Sequence, residues 1–229
     1  MYRSLMLAAL LLIAAAVSAA DFATAKKAYD QGDYSTALKE FKSLADAGDA
    51  NAQYYLGVMN AAGQATAQDT AAALKWFKKA ADHGNADAQF KLGLAYSAGL
   101  SVKRDPEAGV RWLRRSARQG NANAQFYLGV AYQQGEGVEK DPGKAANWYY
   151  EAAKQGVGQA QINLGTMYAT GDGLPKDPAK AYAWFSVAAA AGTQGATRNQ
   201  EFIAREMSPE ELKRARELAR DLLRHLFGS

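Results

Sequence analysis

The side chains best suited to chemistry are few. Only two histidines, His83 and His225, are present, and there is no cysteine in 229 residues. A protein zinc site needs ligands at short helical spacing or cysteine partners. His83 lies in Asp-His-Gly and His225 between Arg224 and Leu226, so neither has such company. No serine falls in a Gly-x-Ser-x-Gly or Ser-x-x-Lys setting that would activate its hydroxyl. Glu210 and Glu211 are adjacent, a placement that suits the first turn of a helix better than an acid–base pair. The Gly-x-Gly segments at 135–137 and 171–173 join two helical stretches, not a strand to a helix, and read as turns, not phosphate loops. These residues predict no catalytic site, no cofactor and no metal, and hence a binding protein.

What must position any binding residue is a repeat. The only tryptophans, Trp76, Trp112, Trp148 and Trp184, recur every 36 residues. In the same register run Gly57, Gly93, Gly129 and Gly165, then Leu56, Leu92, Leu128 and Leu164, then the Ala-Gln pairs ending in Gln53, Gln89, Gln125 and Gln161. A period of this length marks stacked helical units, each burying its apolar face on its neighbours. Every unit reads as two helices. The first, near 122–134 in one unit, carries Ala124, Leu128 and Tyr132 four apart on one face. The second opens at Asp141-Pro142, an N-cap followed by proline at the first helical position, and Gly156 closes it. Gly129 is expected to let the helices approach, and Trp148 to fill the space between them and reach the next unit.

The segments Ala52 to Gly57, Ala88 to Gly93, Ala124 to Gly129 and Ala160 to Gly165, the loops at 135–138 and 171–174, and the Asp-Pro helix starts resemble the Sel1-like repeat family, relatives of tetratricopeptide repeats. The resemblance implies an all-α, right-handed α-solenoid and a role in protein–protein binding. The loop from Gly63 to Gln68 departs from it by lacking the second glycine. The period then divides the chain into a leader (1–20), a degenerate tetratricopeptide-like unit (21–48), four repeats (49–84, 85–120, 121–156, 157–192) and C-terminal capping helices (193–229). In the degenerate unit Glu40 replaces the tryptophan. In the last segment Ser208 to Glu211 is a capping box, and Leu212, Ala215, Ala219, Leu222 and Leu226 form an apolar stripe to seal the last repeat.

Invariant slots hold such an array together, so partner-binding residues are sought among the first-helix slots that vary. These are Asn51, Asp87, Asn123 and Gln159; Tyr55, Lys91, Tyr127 and Asn163; Val58, Leu94, Val130 and Thr166; and Ala62, Ala98, Gln134 and Thr170. Offsets of four, three and four place them on one face, expected to be the concave one. Within this set, Asn51, Tyr55, Val58, Asp87, Lys91, Leu94, Asn123, Tyr127, Gln134, Gln159 and Asn163 are the candidate groove. Tyrosines offer rigid contact area, and amides bond a peptide backbone in either direction. The expected partner is therefore a protein or peptide. Tyr54, Phe90 and Phe126 are expected in the core.

Residues 1–20 read as a signal peptide, with Arg3, an apolar stretch from Leu5 to Val17, and cleavage after Ala19 or Ala20. The expectation is a periplasmic or secreted monomer. The full chain's formal net charge of +4 is modest. Lys75, Lys78, Lys79, Arg111, Arg114, Arg115 and Arg118 recur on second helices and read as a solvated face, with weak contact to an anionic envelope surface as a second reading. No aromatic platform is expected among these charges, and no nucleic-acid partner. Some cysteine-rich Sel1-like relatives bind or hydrolyse β-lactams; with no cysteine here, a β-lactam or cell-wall enzyme is the alternative reading.

Overall fold

The computed structural model describes residues 21–228, and the leader with its cleavage points at Ala19 and Ala20 lies outside them. The described residues form helices and no strands. After α1 (residues 21–30) come α2 (Tyr34–Asp46), α3 (Ala50–Ala62), α4 (Thr70–Asp82), α5 (Ala86–Ala98), α6 (Pro106–Arg118), α7 (Ala122–Gln134), α8 (Pro142–Lys154), α9 (Gly158–Thr170), α10 (Pro178–Ala190), α11 (Ala196–Arg205) and α12 (Pro209–Phe227). Each helix from α2 to α10 is 13 residues long. The chain forms two compact units, one up to Ala95 with Gly99–Lys103, the other Tyr96–Ala98 with Arg104 onward.

Local chemistry sets the boundaries. The side chains of Asp69, Asp105, Asp141 and Asp177 accept backbone N–H groups in the first turns of α4, α6, α8 and α10. Such caps are worth about 1 kcal/mol each. The first helices are capped by Asp49, Asn85 and Asn121, but α9 begins after Val157, which offers no side-chain bond. Each first helix ends at a left-handed glycine, as at Gly135 with φ 75°.

Packing corrects the expectation for the tryptophans. Trp76, Trp112 and Trp148 are only half-buried, and Trp184 alone is deep, at 4% exposure. The space between paired helices is filled by the next residue along: Phe77, Leu113, Tyr149 and Phe185 are all buried. A Cβ on Gly57 would stand 2.5 Å from the Phe77 ring, one on Gly129 2.7 Å from Tyr149, and one on Gly165 2.7 Å from Phe185. Each glycine thus admits an aromatic ring flat against a helix backbone. Trp76 and Trp184 both reach back to the unit before. Trp76 packs on the cluster built from α2 and α3, and Trp184 meets the Tyr150 ring edge-on at 5.9 Å. Glu40 stands at the tryptophan position of the degenerate unit, while Phe41 keeps the deep position at 0% exposure.

The periodic glutamines are latches. Gln53, Gln89, Gln125 and Gln161 are buried, and each Nε2 donates to the last turn of the preceding second helix: to the carbonyls of Ala45, Ala81, Ala117 and Ala153, at 3.1–3.2 Å. A second residue completes the latch at Gln53 and at Gln125. His83 Nδ1 lies 2.9 Å from Gln53 Oε1, and Gln155 Nε2 donates to Gln125 Oε1 at 2.8 Å. His83 is exposed as expected of a last-turn residue, but its ring ties the second helix of its repeat to the first, through the glutamine that bonds the unit before. Ala191 holds the corresponding position for Gln161, whose Oε1 is buried without a partner.

At the C-terminal end α10 is buried along most of its length between α9, α11 and α12. Ala215 and Ala219 of α12 are buried in the same cluster, with Leu212, Leu218 and Leu222 packed against it. Ser208 and Glu211 form the expected capping box. No helix among the described residues is long and apolar enough to cross a membrane.

Candidate functional site

The variable first-helix slots fall into three kinds: those consumed by packing, those that face solvent and those that line a cavity. Tyr55 belongs to the first. It is half-buried, stacked on Phe41 at 4.9 Å with an interplanar angle of 10°, and edge-on to Tyr29 at 5.2 Å. Asn51 is also engaged, its Oδ1 accepting from Asn85 Nδ2 at 2.9 Å. Val58 is half-buried. In the second unit Gln159 Nε2 donates to Asn163 Oδ1 at 3.1 Å, a bond within one helix face.

Others are exposed. Asp87, Asn123 and Gln134 face solvent, and Tyr127 is 40% exposed with its ring edge-on to Phe126 at 5.2 Å. Tyr54, Phe90 and Phe126 are half-buried rather than core. They sit beside the glycine–ring contacts, Tyr54 5.7 Å from Phe77 and Phe126 5.9 Å from Tyr149. Burial, with the nearby Asp87 charge, pushes the Tyr54 hydroxyl up to about 12. Burial likewise pushes Tyr149 up to about 12, and its hydroxyl donates to Gln133 at 2.7 Å. Both tyrosines therefore stay neutral donors, unsuited to act as bases near neutral pH.

Lys91 and Leu94 line a cavity of about 410 Å³ in the first unit, with Ala61, Thr70, Phe77 and Ala95 among its walls. A cavity of about 640 Å³ in the second unit is walled by Ala169, Pro178, Phe185, Asn199, Phe202 and Ile203. These six positions match the first six one for one, each 108 residues, or three periods, further along. The cavities are therefore the same feature of the repeat, formed between one first helix, its partner second helix and the first helix that follows. Their floors are repeating residues, Phe77 and Phe185. Their rims are the slots that vary.

This equivalence assigns α11 the role of a fifth first helix. Asn199, Phe202 and Glu206 continue the slot series of Lys91, Leu94 and Ala98. Sequence reasoning stopped at Thr170 because only Ala196 stays in phase beyond Gly192. Counting on from Ala196 would have found them.

The loops also follow the period. Gly137 and Gly173 lie where a Cβ would overlap the backbone of Pro106 and Pro142, so each loop rests on the start of the preceding second helix. Ala65 and Ser101 hold the same position in the first unit with φ 54° and 59°. The irregular loop thus keeps the backbone path without the glycine.

The Sel1 repeat family profile matches residues 50–85, 86–121, 122–157 and 158–193, more than half of the chain. The chain belongs to the Sel1-repeat family. A solved Sel1 repeat protein from Oxalobacter formigenes is 32% identical, with a TM-score of 0.75 over 89% of this chain and 87% of that one. The protein c5321, a protective antigen present in uropathogenic Escherichia coli strains and displaying an SLR fold, is 28% identical with a TM-score of 0.60. That match covers 91% of this chain but only 54% of c5321. No curated protein matches the chain. Sel1 repeat proteins are all-α solenoids that generally act as protein–protein interaction scaffolds and are typically not enzymes.

One sequence expectation about the second helices is overturned. The basic residues are interleaved with aromatic ones: Lys79 Nζ lies 4.2 Å from the Trp76 ring centroid, and the Arg115 guanidinium 4.7 Å from that of Trp112. Placing the cation three residues after the ring puts it over the exposed part of the tryptophan. The half-burial of these tryptophans, missed in the sequence, creates the platform.

Proposed function

We propose that this protein is an exported scaffold that captures a protein or peptide segment along the first-helix face of its repeats. The observation that carries this reading is the pair of equivalent cavities, apolar at the floor and non-repeating at the rim. Such a combination gives general affinity through buried area and specificity through the few polar groups around it. Asp87 in the first unit, and Asn123, Tyr127 and Gln134 in the second, add exposed polar and aromatic groups to the first-helix slots of their own unit. Envelope assembly, signalling regulation and host interaction are the settings the family suggests, and a relative described as a protective antigen fits an outward-facing location. Export rests on the signal-peptide pattern of residues 1–20. Sequencing the N-terminus of protein recovered from the envelope fraction should begin at Ala20 or Asp21; a cytoplasmic protein beginning at Met1 would refute export.

Site-specific photocrosslinking tests the face. Photoreactive residues at positions 91, 127 and 202 should capture one partner band in the native envelope, and those at positions 78 and 111, on second helices, should not. The reverse pattern would sink the first-helix reading. A second reading, contact with an anionic envelope surface, draws on the lysine and arginine held over Trp76 and Trp112. It requires binding to vesicles of anionic phospholipid that falls steeply between 50 and 200 mM salt (roughly, as screening shortens to about 8 Å), and loss of that binding in Lys79→Glu with Arg115→Glu.

A further inference from the structure

The proposed partner-binding face does not specify what chemistry a partner must present; the cavity closed by α11 does. Its apolar wall comprises Phe185 and Ile203, both buried, with Ala169, Pro178 and Met207. Phe202 stands at its lip and is 67% exposed, the most exposed large apolar side chain of the described residues. An exposed phenylalanine beside an apolar cavity of about 640 Å³ is a ready contact for another ring or a long aliphatic chain. The volume falls within the usual range for ligand sites, about 300–1,000 Å³.

Charge narrows the choice. The rim carries Glu206, Glu211 and Lys176. The Glu211 carboxylate accepts the Ser208 backbone N–H at 2.8 Å, which holds its pKa below the usual carboxylate range and keeps it ionised. Glu206 and Lys176 make no ion pair among the described residues. Two carboxylates against one ammonium favour a cation. The equivalent cavity in the first unit is opposite, since Lys91 is the only charged residue on its rim.

We infer that the cavity between α9, α10, α11 and α12 binds peptide segments presenting an aromatic or long aliphatic side chain beside a lysine or arginine. The apolar side chain enters between Phe185 and Phe202, and the base pairs with Glu206. This rests on the first-helix binding reading and specifies one of its sites.

The test is an amide NMR titration of the full chain with two capped peptides, acetyl-Gly-Phe-Lys-Gly-Gly-amide and its counterpart with Glu for Lys. The Lys peptide should shift the amides of Asn199, Phe202 and Glu206 and bind about fivefold to tenfold more tightly than the Glu peptide, as expected for one partly desolvated charge pair. Glu206→Lys should reverse that preference, and Phe202→Ser should weaken both peptides. Equal affinities unaltered by Glu206→Lys would overturn the inference. Shifts confined to Lys91 and Leu94 would overturn this site yet keep the first-helix reading. No shift on any first helix at millimolar peptide would count against both.

Discussion

In the first unit the loops between paired helices force Ala65 and Ser101 into the left-handed region, whereas the second unit has Gly137 and Gly173 at those positions. The advantage is reversed elsewhere. The first unit caps its first helices with Asp49 and Asn85 and latches Gln53 to His83. The second unit starts α9 at Val157 with no cap and leaves Gln161 Oε1 unpartnered opposite Ala191. Each unit thus lacks at one place what the other has. A repeat position is consequently a physical task, such as a positive φ, an N–H to satisfy or a carbonyl to bond, and a residue that fails the task leaves a local cost. The comparison also separates Trp76 from Trp184: the same residue at the same position is half-buried in one unit and deep in the other, because α12 covers α10.

The largest expected difference tests that last contrast. Trp184→Ala should cost about 3–5 kcal/mol by cavity creation in a fully packed site. Trp76→Ala, losing a half-exposed ring and its lysine contact, should cost about 1–2 kcal/mol. Equal losses in urea unfolding would show that position in the repeat, not coverage by α12, sets the burial that matters.

Next in size is the loop exchange. Gly173→Ala meets both a positive φ and the Pro142 backbone, and should destabilise by about 2–4 kcal/mol. Ala65→Gly, relieving the same backbone in the first unit, should stabilise by about 0.5–1 kcal/mol. A destabilising Ala65→Gly would mean that the loop conformation is not strained by its side chain.

Two smaller repairs supply the last repeat with features that earlier repeats have. Ala191→Gln supplies the donor that Gln155 gives to Gln125, and should add about 0.5–1.5 kcal/mol by satisfying Gln161; an unchanged unfolding midpoint would argue that water already serves that oxygen. Val157→Asn restores the cap present at Asn85 and Asn121, with an expected gain of about 0.5–1 kcal/mol. Hydrogen exchange at the first amides of α9 would report it directly.

Much of this was legible in the sequence because it depends on short-range chemistry. The Asp-Pro starts, the left-handed glycines and the Ser208–Glu211 box each act within one turn of backbone. The variable-slot series was legible too, since a helix repeats its face at fixed offsets. Several features were not. The signal for Phe202 and Glu206 is one alanine in phase, too little to extend a repeat. The burial of Tyr55 depends on rings from α1 and α2 that no local pattern pairs with it. The glutamines were visible as a series without a role, because their acceptors lie on another helix eight residues earlier.

The coincident 36-residue series by themselves determined the period, the two-helix unit and the family, because a stacked repeat cannot change its length without losing register. Only the tertiary structure decided which of two adjacent residues goes deep. Trp148 and Tyr149 are both large and aromatic, and they point about 100° apart on one helix. The ring that faces Gly129 is buried because that glycine opens the space for it. The tertiary structure also decided that varying slots line cavities where a following first helix, α5 or α11, closes the third wall.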